Sequence, residues 1–181
     1  INGASVLAAM EGTRPMLVEL QSLIAPSPLG TPRRAVVGWD SGRLAMVLAV
    51  LESRCGLAIG ANDVYLNVAG GLRVSEPAAD LAVAAALASS LSGIPVPSQT
   101  VVFGEIGLSG EVRAVSHTDA RLKEADRLGF TRAIVPKGRG KGKGVKGPSG
   151  MKIREIEHLA DLLALFHAPA KGTVLKEQAN G

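Results

Sequence analysis

A single cysteine in 181 residues excludes an intrachain disulfide and fits a reducing compartment, the cytoplasm. That residue, Cys55, follows an apolar helical stripe in "MVLAVLESRCGLAIG" and precedes a glycine, the setting of a small buried core residue. Aromatics are scarce at 3% although 46% of the chain is apolar, so the core must be built from Ala, Val, Leu and Ile. Such a mixture favours helices packed on a sheet over an aromatic-rich sandwich. No apolar run reaches the roughly 20 residues of a membrane span, and no signal peptide opens the chain. The first residue is Ile1 and not methionine, as expected of a fragment or a processed product.

Signatures of bound nucleotide and metal are missing too. There is no Walker A motif, no GxGxxG after a strand, and no CxxC or HExxH spacing. His117, His158 and His167 stand apart without neighbouring ligand types, and the last two fall nine residues apart on one expected helix. They read as surface or helix-end histidines, and no metal site is expected. No GxSxG elbow supports a Ser-His-Asp triad.

What is present is a mixed α/β pattern without an internal repeat. "SVLAAMEGTRPMLVELQSLIAP" predicts two strands divided at Glu11 to Pro15, and "RRAVVGWD" another strand. Asp40 or Ser41 can cap a helix over "GRLAMVLAVLESRCG" that ends near Gly56. "DVYLNVAGG" reads as a strand closed by glycines, followed by an Ala/Leu helix over roughly 76–92 that ends at Gly93. The small residues of that helix suit it to the core. "TVVFGEIGLSGEVRAV" turns twice at glycines and reads most simply as a hairpin. An amphipathic helix over "HTDARLKEADRLGF", a buried strand "TRAIVP", and a strand followed by the last helix in "MKIREIEHLADLLALFH" complete one domain over 1–168, with a tail over 169–181.

The net charge of +4 is unevenly spread. "KGRGKGKGVKG" carries Lys137, Arg139, Lys141, Lys143 and Lys146 with no acid between them, in a Gly/Lys loop that extends to 150. Its glycines let the backbone follow a phosphate chain, and each neutralised phosphate releases a counterion. Without interleaved aromatics, base stacking is not expected. Arg33 and Arg34 form a smaller basic pair before a strand. These seven residues are the DNA-binding candidates, with sequence-independent contact expected and a solvated loop as the plainer alternative. Arg73 is expected to solvate or to pair with Glu76. Arg113 and Arg121 are expected to pair with neighbouring acids or to lie on a subunit contact.

"GGLRVSEPAADLAVAAALASSLSG" resembles a frame that displays a nucleophile at a helix N-terminus, with the nucleophile missing. Together with "GEIGLSGEVRAV", the next helix and "AIVP", it is similar in order and spacing to the proteolytic domain of the Lon proteases. That resemblance implies a Lon-like fold, of the ribosomal protein S5 domain 2-like type, with a mixed sheet and packed helices. It also implies a Ser-Lys dyad, whose serine position falls on Ala78 and whose lysine position falls on Asp119. A methyl group forms no acyl-enzyme, and a carboxylate is not the neutral amine base such a dyad needs. Ser75 reads as a helix N-cap, and Lys123, one turn beyond Asp119, as its exposed i,i+4 ion-pair partner. Glu76 and Asp80 suit the positive end of the helix dipole, and Pro77 a first turn whose N–H needs no partner.

Four segments together, "MEGTRPMLVELQSLIAPS", "GWDSGRLAMVLAVLESRCGL", "DVYLNVAGGLRVSEPAADLAVAAALASSLSG" and "GEIGLSGEVRAV", resemble the C-terminal domain of the RadA (Sms) family of bacterial DNA repair proteins. The resemblance implies an inactive Lon-like scaffold attached to a DNA-dependent ATPase of recombinational repair, acting in branch migration. It implies hexameric rings, DNA and a RecA-type recombinase as partners. ATP, Mg and Zn would belong to segments of the parent, and no cofactor is expected in this one. An active Ser-Lys peptidase and a purely structural oligomerisation domain are the alternatives.

Overall fold

The computed structural model describes residues 1–28, 30–139 and 144–166. Its centre is the hairpin that the apolar alternation predicts: β1 (Ala4–Glu11) pairs antiparallel with β2 (Arg14–Pro26). Period two places Ser5, Leu7 and Ala9 on one face beside Leu20, Val18 and Met16. The neighbours are β3 (Arg34–Val37), β4 (Asn62–Val68), β5 (Thr100–Val102), β8 (Arg132–Pro136) and β9 (Lys152–Ile156). They form a seven-stranded sheet in the order β3-β4-β2-β1-β5-β8-β9. Only β1–β2 and β2–β4 are antiparallel, so the sheet is mixed.

The Ala/Leu helix crosses the inner face of the hairpin. A single 3₁₀ turn, Pro77–Ala79, leads into α2 (Asp80–Ser92), which stops where Gly93 turns left-handed. Every residue from Asp80 to Ser89 is buried, so the helix has no solvent face over that stretch. Hydroxyls fasten it to the sheet: Ser5 Oγ donates to the Ala82 carbonyl (2.6 Å) and Ser22 Oγ to that of Ala86 (2.7 Å). Ser89 and Ser90 accept from the Gly3 and Ile24 amides. Just before β1, a Cβ on Gly3, itself at φ +83°, would lie 2.4 Å from the Ser22 carbonyl oxygen of β2 and 3.4 Å from Ser90 Cβ of the helix.

Two further helices, α1 (Ser41–Cys55) and α4 (Leu159–Leu163), pack on α2, while α3 (Thr118–Arg127) packs against β1 and β2. Asp40 caps α1 by accepting from the Gly42 amide, and Gly56 ends it in the left-handed region. Sheet and helices share one continuous apolar core. No helix among the described residues is long and apolar enough to cross a membrane.

Three expectations need correction. "TVVFGEIGLSGEVRAV" is not one hairpin: Thr100–Val102 joins the large sheet, and only β6 (Glu105–Ile106) and β7 (Val112–Arg113) form a small one. Gly104, at φ +152°, separates the two. Cys55 is half-buried rather than core, and what burial it has pushes its thiol pKa up. His158 precedes the last helix as its N-cap, accepting from the Ala160 amide, and α4 closes at Leu163. His167 and the tail over 169–181 lie outside the described residues.

Candidate functional site

The entry to α2 is built by three glycines and an extended segment. Gly70 and Gly71 both take left-handed φ and turn the chain after β4. Residues 72–76 then run extended, with the Val74 amide donating to the Gly38 carbonyl at 2.8 Å. Gly104 clamps the helix start from the other side. Its amide donates to the Ala78 carbonyl (2.8 Å), and its own carbonyl accepts from the Leu81 amide (2.9 Å). A side chain there would crowd Pro136 and Leu81. Ala78 is thereby buried, 3% exposed, with its carbonyl already spent.

Two acids flank this turn, and both are consumed. Asp80 is fully buried and accepts from Arg43 Nε (2.8 Å), Arg43 Nη2 and the Ile106 amide (3.0 Å). Burial pushes its carboxyl above the usual range, and Arg43 and the Ile106 amide offset that only in part. The same carboxylate holds the Arg43 guanidinium above its ordinary pKa. Glu76 accepts from the Met10 amide and from Arg121 Nη2, both at 2.6 Å.

Arg121 is the centre of the arrangement. Only 1% exposed, it donates from Nε to the Ser116 carbonyl (2.9 Å), from Nη1 to the Ala8 carbonyl (2.8 Å) and from Nη2 to Glu76. Its guanidinium carbon lies 5.5 Å from the Phe103 ring centroid. Ala8 and Met10 belong to the part of β1 that extends past its last pairing with β5, Leu7 with Val102. The Arg121–Glu76 pair therefore satisfies a carbonyl and an amide on a strand edge that no strand among the described residues covers. Beside it lies a cleft of about 350 Å3 between the β1–β2 turn and residues 72–76.

The two segments that the Lon resemblance pairs do meet, but through Arg121 and Glu76. Asp119 is exposed in the first turn of α3, on a separate depression with Lys123, Asp126 and Lys146. Ala78 lines neither this depression nor the cleft. Asp119 and Lys123 form no ion pair with each other, contrary to the i,i+4 expectation. Ser75 does not cap: neither the 3₁₀ turn nor α2 has a side-chain cap, because Gly104 already serves that end. Glu76 pairs with Arg121 and not with Arg73, and Arg113 pairs with Glu111 at 2.9 Å.

The basic candidates are dispersed. The loop from Lys137 joins β8 to β9 at one edge of the sheet, whereas Arg33 and Arg34 stand at the start of β3, the other edge. Six strand spacings of about 4.8 Å put those edges roughly 29 Å apart. Asp63 accepts from the Arg33 amide at 2.7 Å, and Arg34 donates to the Asn62 carbonyl. Nor is the loop free of acids in space: Lys137 pairs with Glu157 (2.7 Å), and the Gly138 amide donates to Glu155 (2.7 Å). Arg139 and Lys146 are exposed; Lys141 and Lys143 lie outside the described residues. Among the described residues no group of three His, Cys, Asp or Glu side chains could hold a metal ion.

The roles of Arg121, Arg43 and the two acids were not separable from sequence. A signal existed at Arg121, four residues before the buried Ala125 and so on the same helix face. Arg43 follows its cap by three residues and carries no such mark.

A family profile described as "Subunit ChlI of Mg-chelatase" matches residues 30–139, more than half of the chain. The chain belongs to this family. The ChlI-family chain is also 62% identical over 170 residues to a protein of Brucella abortus named DNA repair protein RadA, covering 94% of this chain and 36% of that one. Its identity to the Rickettsia felis protein of the same name is 54% over 160 residues, covering 88% and 34%. For the Mycolicibacterium smegmatis RadA it is 47% over 159 residues, covering 88% and 33%. The resemblance to RadA proteins is thus shown over nearly the whole ChlI-family chain, which spans about a third of the length of these relatives.

Proposed function

We propose that this chain is a proteolytically inactive, Lon-like scaffold domain of a RadA-type DNA repair protein, contributing ring assembly and sequence-independent DNA contact. The observation that carries the reading is the α2 entry. Where a Lon-type serine would stand there is a buried alanine, and where its lysine would stand there is an exposed aspartate. At that entry Asp80, Glu76, Arg43 and Arg121 are bound into backbone contacts and ion pairs, which suits a frame kept for its shape. The relatives' shared name supports the repair context. On this reading the parent is a DNA-dependent ATPase of branch migration in the cytoplasm, with ATP, Mg and Zn held by other segments and a RecA-type recombinase as partner.

A fluorophosphonate probe and a fluorogenic peptide test the first half: no labelling and no turnover are expected, and stoichiometric labelling overturns it. For the second half, Lys141, Lys143 and Lys146 are replaced by alanine and DNA binding is titrated with salt. Weaker binding with a shallower dependence on salt is expected. A chain that binds no DNA at low salt removes the DNA contact and leaves assembly, read by sedimentation of a ring-forming parent.

A further inference from the structure

The charge on the β8–β9 edge is sorted by face. The parallel register sets Arg132 opposite Lys152 and Ile134 opposite Arg154. Arg132, Lys152 and Arg154 therefore project from one face of the two strands. All three are exposed. Among the described residues none of their side chains has an ion-pair or hydrogen-bond partner. With Pro97, Thr100 and Leu165 they line a depression of about 270 Å3 that no acidic residue enters. The acids of β9 and its end belong to the other face, where Glu155 holds the Gly138 amide and Glu157 holds Lys137.

Like charges directly across a strand pair destabilise a sheet. Here Arg132 and Lys152 pay that cost with no acid to offset it. A polyanion laid along the edge would relieve it. Lys152 and Arg154 are about 6.6 Å apart along the strand, and Arg132 is one strand spacing away. The apolar wall of Pro97 and Leu165 offers no base-stacking ring, so the contact is to phosphates and carries no sequence preference.

We propose that Arg132, Lys152 and Arg154 form a DNA phosphate-binding surface, on the face of this sheet edge opposite Glu155 and the Lys137–Glu157 pair. This rests on the DNA-contact reading above and assigns it a second set of cations.

The test is binding of the full chain to a fluorescein-labelled DNA duplex of mixed sequence, from about 50 to 200 mM salt. Three proteins are compared: wild type, Arg132→Gln/Lys152→Gln/Arg154→Gln, and the alanine variant of Lys141, Lys143 and Lys146. At about 0.9 in slope per phosphate released, the glutamine variant should lose roughly 2.7 in the dependence of log K on log salt. Over that salt range the wild type should then weaken about 40-fold more than the variant does. Its melting temperature at low salt should be unchanged or higher, because repulsion has been removed. If it misfolds, Lys152→Gln alone, at an exposed site, should lower the slope by about 0.9. Wild-type affinity and slope in the glutamine variant, with loss only in the loop variant, overturns this inference and leaves the DNA contact standing. Absence of wild-type binding at 50 mM overturns both.

Discussion

At the scale of single residues, Arg121 is the side chain on which most depends. It satisfies two backbone carbonyls and one carboxylate from a fully buried position. Arg121→Met keeps the volume but orphans the Ala8 carbonyl and half of Glu76, and removing one partner of a buried pair costs about 3–5 kcal/mol. Urea denaturation should show that loss, and a change under 1 kcal/mol would mean that water replaces the guanidinium. Asp80 makes a prediction of opposite character. Its carboxyl titrates higher in the fold than the ordinary value of about 3.9. The fold therefore opposes its ionisation, so the contribution to stability is full below about pH 3.9 and is lost as pH rises through the shifted value. Against Asp80→Asn, which does not titrate, the wild type should lose relative stability on going from pH 3 towards neutrality and stay level beyond. A rising difference over that range contradicts the assignment.

Elements show what a sequence can and cannot reveal. β1, β2, α1 and α2 were legible because their determinants are local: alternation, an Asp cap, a left-handed glycine at each helix end. β5 was misplaced because its three residues pair only with strands far away in sequence, so no hairpin signal could mark it. The α2 entry was legible as a frame with Ala78 in it, but its partners were not. Arg43, Arg121 and Gly104 converge from two helices and a linking segment, and only the tertiary fold brings them to Asp80, Glu76 and Ala78. The acids near the basic loop were hidden for the same reason. The helix itself yields a test. Ala85 is fully buried in a helix held against the sheet by serine hydroxyls, so Ala85→Leu has no room and should cost about 1–3 kcal/mol by overpacking. A melting temperature equal to the wild type's would show unfilled space beneath the helix.

Across the whole molecule, one core joins the sheet to α1, α2 and α4, so unfolding should be a single transition. Trp39, the only tryptophan, is 4% exposed, which makes it a reporter of that core, and its indole N–H has no partner among the described residues. In urea its fluorescence shift should coincide with loss of far-ultraviolet dichroism, and separated midpoints would reveal two cooperative units. The sheet also sets the layout of charge, with Arg33 and Arg34 at one edge and Arg132, Lys152 and Arg154 at the other.

The bridge between Glu76 and Arg121 has one more consequence. An uncovered strand edge is a template on which any extended chain can add itself, whether peptide substrate, neighbouring copy or aggregate. Side chains occupying the Ala8 carbonyl and the Met10 amide turn that template into a closed surface, without a strand being spent on it. The lock that keeps β1 from recruiting strangers is thus made of two removable residues. A pair of substitutions, Glu76→Ala with Arg121→Ala, would leave the Ala8 carbonyl and the Met10 amide on that edge without these partners.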